Sequence, residues 1–89
     1  MKARKLRILR KKHGISLSGL SAATGLSPQR ISEIELNQRR ITPEVEEKLK
    51  MGLEKMIAQR KTEAAALRKD YSKHGKTLLK IVEDSTYEL

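Results

Sequence analysis

Three punctuation marks in the first half of this chain leave room for little besides short helices. Gly14 is followed by Ser16, Gly25 by Ser27-Pro28, and Asn37 by Thr42-Pro43. Gly and Asn take the left-handed backbone that ends a helix. Ser and Thr accept from the free N–H groups that begin one. Proline at the first helical position loses nothing, because its missing N–H would have had no partner there. The spacing therefore predicts helices over 3–13, 17–24 and 28–36. Leu6 and Leu9 mark the inner face of the first, Leu17, Leu20 and Ala23 that of the second, and Ile31 and Ile34 that of the third. Gly19 weakens the second helix by up to about 1 kcal/mol relative to alanine.

The second half is less sharply divided. Val45, Leu49, Leu53, Met56 and Ile57 follow at three- and four-residue steps, and Ala64, Leu67 and Tyr71 prolong the stripe to Gly75. Unbroken, a helix over 43–74 would span about 48 Å; Gly52 could instead divide it in two. Leu78, Leu79, Ile81 and Val82 read as a short helix over 77–82, and residues 84–89 as a frayed end. The fold class is all-α: four to five helices over 1–53, with a long C-terminal helical extension over 54–89.

Composition removes most functional classes. The 89 residues include no Cys, Phe or Trp, and Tyr71 and Tyr87 are the only aromatics. A disulfide or thiolate metal site is excluded, and so is an aromatic platform for stacking single-stranded bases. Two histidines, His13 and His74, are too few for a histidine metal centre, and neither sits in a catalytic constellation. No cofactor and no enzyme activity are expected. No run of about 18 apolar residues is present, so no membrane span is expected; the basic N-terminus has no continuous apolar stretch and does not read as a secretory signal. These features predict a cytoplasmic protein. The net charge is +9, but residues 1–40 carry ten Lys/Arg against two acids and residues 41–89 ten against nine. One half is built to meet a polyanion, nucleic acid before an anionic membrane surface.

Leu17 to Leu36 narrows the choice further. Leu20, Ile31 and Ile34 bury the facing sides of two short helices, Ser21 is small where they cross, and Gly25 supplies the positive φ of a tight turn. This spacing describes a helix-turn-helix. The chain resembles the phage-repressor-like helix-turn-helix family, the Cro/CI or XRE class, from about Leu6 to Leu53. The residues that carry the resemblance are Leu6, Leu9, Arg10, Gly14-Ile15-Ser16, Leu20, Thr24-Gly25-Leu26-Ser27, Ile31-Ser32-Glu33-Ile34-Glu35 and Pro43. Three positions depart from it: Leu17 stands where glutamine is frequent, Ser21 where alanine is usual, and Asn37 where glycine commonly follows the third helix.

The resemblance implies that the third helix lies in the major groove of double-stranded DNA. Gln29 can then pair with adenine, Arg30 with guanine and Glu33 with a cytosine amino group, with small Ser32 beside them. Phosphate contacts are expected from Ser16, Ser18 and Ser27 at the helix N-termini, where backbone N–H groups are free, and from Asn37, Gln38, Arg39 and Arg40 in the loop after the reading helix. The family also implies a partly buried pair, Arg10 with Glu35, that ties the first helix to the third. The expected function is a dimeric, sequence-specific transcriptional regulator, a repressor, with the C-terminal segment dimerising or holding a protein partner. The competing readings are the antitoxin of a toxin–antitoxin pair and an adaptor that keeps the fold without reading DNA.

Overall fold

The computed structural model describes residues 2–60, 64–84 and Tyr87. A short strand β1 (Lys2–Arg4) leads into α1 (Lys5–Lys12), α2 (Leu17–Thr24), α3 (Pro28–Glu35), α4 (Pro43–Gln59) and α5 (Ala64–His74). A single 3-10 turn (Gly75–Thr77) follows, then strand β2 (Ile81–Glu83). Helices dominate, as the patterning requires, and one antiparallel two-stranded ribbon is added.

The caps act where the sequence places them. Ser16 Oγ accepts from Gly19 N at 2.9 Å, Ser27 Oγ from Arg30 N at 3.1 Å, and Thr42 Oγ1 from Val45 N at 3.2 Å. Pro28 and Pro43 open their helices. Asn37, at φ 59°, ends α3 in a left-handed turn. Its N–H reaches the Ile34 carbonyl, and that of Gln38 reaches the Glu33 carbonyl, which satisfies two of the last free acceptors of the helix.

Leu6, Leu9, Ile15, Leu20, Leu26, Ile31, Ile34, Val45 and Leu49 form one apolar cluster with Leu53, Ile57, Leu67 and Leu78. The C-terminal stripe therefore packs on the chain's own core. Met51 and Ile81 are the exposed large apolar side chains among the described residues.

Three expectations for the second half are corrected. The 43–74 stretch is not one helix: α4 ends at Gln59, where Arg60 takes an extended conformation. Gly52 does not divide it. A Cβ at Gly52 would run into the Thr24 methyl and lie 3.3 Å from the Ala23 backbone, so the glycine lets α4 cross α2 closely. Finally, 77–82 is not a helix: it runs from the end of the 3-10 turn into β2 itself. Its β-branched Ile81 and Val82 pair with Arg4 and Ala3, partners 77 and 79 residues away that no local pattern could supply.

This tail completes α1. Arg4, at the N-cap of α1, makes no capping bond with its side chain. Instead Lys5 N donates to the Lys80 carbonyl at 3.0 Å and Leu6 N to the Leu78 carbonyl at 2.9 Å. Of residues 84–89, which the sequence reads as a frayed end, Asp84 and Tyr87 are described, and both are engaged. Arg7 Nε lies 3.4 Å from Asp84 Oδ2, and Lys5 Nζ sits 5.3 Å from the centre of the Tyr87 ring. The side chain of Ala64 lies outside the described residues.

The other end of α1 meets α5. Asp70 Oδ2 takes Lys12 Nζ at 2.8 Å and His13 Nε2 at 2.7 Å. The Lys12 hydrogen bond, against some burial, holds the Asp70 carboxyl below its ordinary range. Tyr71 ties α5 to α4 by donating to Glu54 Oε1 at 3.0 Å, and burial followed by that carboxylate pushes the Tyr71 hydroxyl up to about 12.

Candidate nucleic-acid interface

The α2–α3 turn is built from hydrogen bonds that its own residues supply. Thr24 Oγ1 donates to the Leu20 carbonyl at 2.8 Å and accepts from Leu26 N at 3.2 Å. Ser21 Oγ donates to the Leu26 carbonyl. That bond explains a serine at the crossing, since its hydroxyl closes the turn from inside. Gly25, at φ 80°, carries the reversal. Leu17 packs against the core, half-buried, so this position is structural and not a polar contact.

Ile31, Ile34 and Glu35 face inward from α3. At 3.6 residues per turn, Gln29 and Glu33 then share the outer face and Arg30 and Ser32 flank it. Gln29 is exposed, and Ser32, Glu33 and Arg30 are half-buried. Arg30 leans back on the domain: its Nε is shielded from solvent and has no hydrogen-bond partner among the described residues.

Behind this face, Glu35 is fully buried. Arg10 Nε and Nη2 donate to its two carboxylate oxygens at 2.9 and 3.0 Å, and Arg10 Nη1 donates to the Ile15 carbonyl at 3.0 Å. The carboxylate is met by both arms of a planar fork, an arrangement lysine could not reproduce. It fixes the depth of α3 against α1.

The loop after α3 forms the rim. Arg4, Asn37, Gln38, Arg39, Arg40 and Ile41 line a concavity of about 550 Å³. Asn37, Gln38, Arg39 and Arg40 are all exposed. Arg39 Nη2 lies 3.5 Å from Glu33 Oε1, so the outer face of α3 and the basic loop touch. Ser16, Ser18 and Ser27 are exposed at the N-termini of α2 and α3. Ser16 and Ser27 are already acceptors in caps, but a capping hydroxyl keeps its own proton for a phosphate oxygen.

Sequence reasoning missed Arg4. It counted as one more basic residue of a first helix, whereas it belongs to β1 and reaches into this rim. Nothing local marks it; its partners come from α3, the following loop and the tail.

A helix-turn-helix family model matches residues 6–49, from the core of α1 into α4. The chain belongs to the helix-turn-helix family. It is a DNA-binding regulator of the XRE, Cro/CI-type kind. No curated protein and no solved structure matches the chain. The helix-turn-helix match stops short of α5 and β2, so the ribbon and the tail bond to Arg4 lie outside what the family model covers. Among the described residues no helix of this helix-turn-helix protein is long and apolar enough to cross a membrane.

Proposed function

We propose that this regulator is a repressor that binds a specific operator as two copies, with α3 in the major groove and the cytoplasm as its place of action. Gln29, Arg30, Ser32 and Glu33 read bases. Ser16, Ser18, Ser27, Asn37, Gln38, Arg39 and Arg40 hold phosphates. The observation that carries this reading is the two-sidedness of α3. Its inner side is pinned by Ile31, Ile34 and the Arg10–Glu35 fork, while Gln29 and Glu33 point away from the core beside an exposed basic loop.

Arg30 adds support. A buried donor without a partner is costly, typically about 1–3 kcal/mol. An acceptor in the groove that drew the guanidinium outward would relieve that cost. The Glu33–Arg39 contact, half exposed and long, is worth little by itself; on DNA the two groups can part, one to a base and one to a phosphate. A domain seated on its operator hides that stretch of DNA from other proteins, which is the simplest route to repression. Two copies follow from the reach of a single short helix, which covers only a half-site; two would address half-sites about 34 Å apart.

Selection of duplexes from a random-sequence library tests the reading. The expected product is a two-fold site whose binding weakens by about 10³–10⁵ between 50 and 200 mM salt. Arg30→Ala is expected to cost about 1–3 kcal/mol and relax preference at one base pair, whereas Arg39→Ala weakens every duplex alike and lowers the salt slope by about one. No enrichment from the library overturns the reading, and identical base profiles for the two variants overturn the division of roles.

A further inference from the structure

Among the described residues, Arg4 is the one side chain that touches the C-terminal tail, the end of α3 and the basic loop together. Its Nη1 donates to the Leu79 carbonyl at 2.6 Å, its Nε to the Ile34 carbonyl at 3.0 Å, and its Nη2 to Asn37 Oδ1 at 3.1 Å. Asn37 is the left-handed residue that turns the chain from α3 into the loop. The Ile34 carbonyl already takes the Asn37 N–H, so Arg4 grips the same turn at two points. β1 holds Arg4 in place, and β1 is paired to β2, with Arg4 opposite Ile81.

We propose that Arg4 is a positioning residue for DNA binding, and that the C-terminal tail sets the geometry of the Asn37–Ile41 loop through it. The proposal rests on the reading of that loop as the phosphate-holding rim. A planar guanidinium with three separate acceptors has little freedom left. With the tail seated, Asn37 and the loop beyond it are held before DNA arrives, and the ordering cost at binding falls. With the tail displaced, Nη1 loses its acceptor, β1 loses its partner strand, and the grip on Asn37 loosens. The tail is thus coupled to DNA affinity without touching DNA.

The test uses the full chain and a duplex recovered by the wild type from a random-sequence library. Arg4→Gln is expected to weaken binding about 2- to 30-fold, the range seen when a residue touches neither ligand but carries coupling. The loss should be even across single-base variants of the duplex, with base preference unchanged. Amide hydrogen exchange should quicken at 37–41 while α2 and Leu20, Ile31 and Ile34 stay protected. Val82→Pro, which places a residue without an N–H in the middle of β2, should quicken the same loop amides and weaken binding in the same even way. Because the two changes break one chain of contacts, their effects in the double variant should fall short of the sum. Arg4→Lys should recover little, since an ammonium cannot serve three acceptors in one plane.

Thermal melts keep the outcomes apart. If Arg4→Gln lowers the melting temperature but the folded protein binds as tightly as wild type with loop exchange unchanged, Arg4 is only structural and the proposal falls. Fully additive effects of Arg4→Gln and Val82→Pro would break the link to the tail. Failure of the wild type to enrich any duplex would overturn the DNA-binding reading itself, and the proposal with it.

Discussion

The α2–α3 turn and the closure of the N-terminus by the tail are both held by hydrogen bonds, but over very different stretches of chain. Ser21, Thr24 and Leu26 bond to atoms at most five residues away. Arg4, Lys5 and Arg7 bond to Leu79, Thr77 and Asp84, which are 72 to 77 residues away. The turn costs little loop entropy and can form whenever its two helices do. The closure must order nearly the whole chain before it is rewarded. The local unit carries the surface proposed to read DNA, and the distant one clamps α1, on which that unit rests. Such an arrangement lets the tail open while the turn survives, provided the core holds.

Arg10 and Glu35 lie between these regimes, 25 residues apart. Glu35→Ala leaves the Arg10 guanidinium buried and uncompensated. The expected loss is the largest here, about 3–5 kcal/mol, measured as a fall in urea midpoint at constant slope. A double cycle with Arg10→Ala should show strong coupling. A loss below about 1 kcal/mol would mean that the fork is not the joint between α1 and α3.

Leu78 asks how far the closure belongs to the core. Its side chain is 1% exposed. Leu78→Ala should cost about 2–5 kcal/mol. Hydrogen exchange then sharpens the comparison: Lys5 and Leu6 amides, which donate to tail carbonyls, should lose protection before those of α2. Uniform loss across the chain would show a single cooperative unit with no separate tail opening.

What could be read in the sequence follows the same division. Caps, left-handed Asn37 and the inner face of α3 are legible because each depends on neighbours a few residues away. The paired Arg10 and Glu35 are legible only through family resemblance, since nothing local joins residues 25 apart. The strand at 81–83 is illegible: Leu78, Leu79, Ile81 and Val82 suit either a helix or a buried strand, and only the pairing with Lys2–Arg4 decides. The dimerising role read into the apolar stripe after Leu53 loses Leu53, Ile57, Leu67 and Leu78, which are consumed by the chain's own core. Gly52 is ambiguous in the sequence for a related reason. In a helical pattern a lone glycine signals either a break or a close approach, and the Thr24 methyl that settles the matter is brought there by folding.

Gly52→Ala tests that close approach within the locally encoded half. Alanine favours helix over glycine by about 1 kcal/mol. Against this, the new methyl meets Thr24, whose Oγ1 is fixed by bonds to the Leu20 carbonyl and Leu26 N. The side chain cannot swing away without undoing the turn, and overpacking typically costs about 1–3 kcal/mol. The net effect is a destabilisation on the order of 1 kcal/mol. A stabilised variant in urea melts would show that α2 and α4 have slack at their crossing.

The smallest effect is expected at the distant closure, from pH. His74 is buried, its Nε2 has no hydrogen-bond partner among the described residues, and Lys5, Lys73 and Lys12 add positive potential around it. Burial first, then Lys5 and Lys73, push its pKa below the ordinary 6.5, while Asp70 pulls the other way. As pH falls through 6.5 the unfolded chain takes a proton at this position and the folded chain does not. The unfolded state then binds more protons, so stability that is complete above 6.5 drains away toward the lower folded value. Asp70 contributes in the same sense but only further down, below its ordinary 3.8, because Lys12 holds its carboxyl ionised. His74→Gln removes the titrating ring, and the comparison is the difference in urea midpoint between the two proteins at pH about 7.5 and about 5.5, within the range where an ordinary histidine titrates. The wild type should lose more stability than the variant over that interval, with His13 present in both and cancelling. Equal losses would mean that His74 accepts its proton in the folded state, and that the junction of α5 with Lys5 is open enough for water to reach the ring.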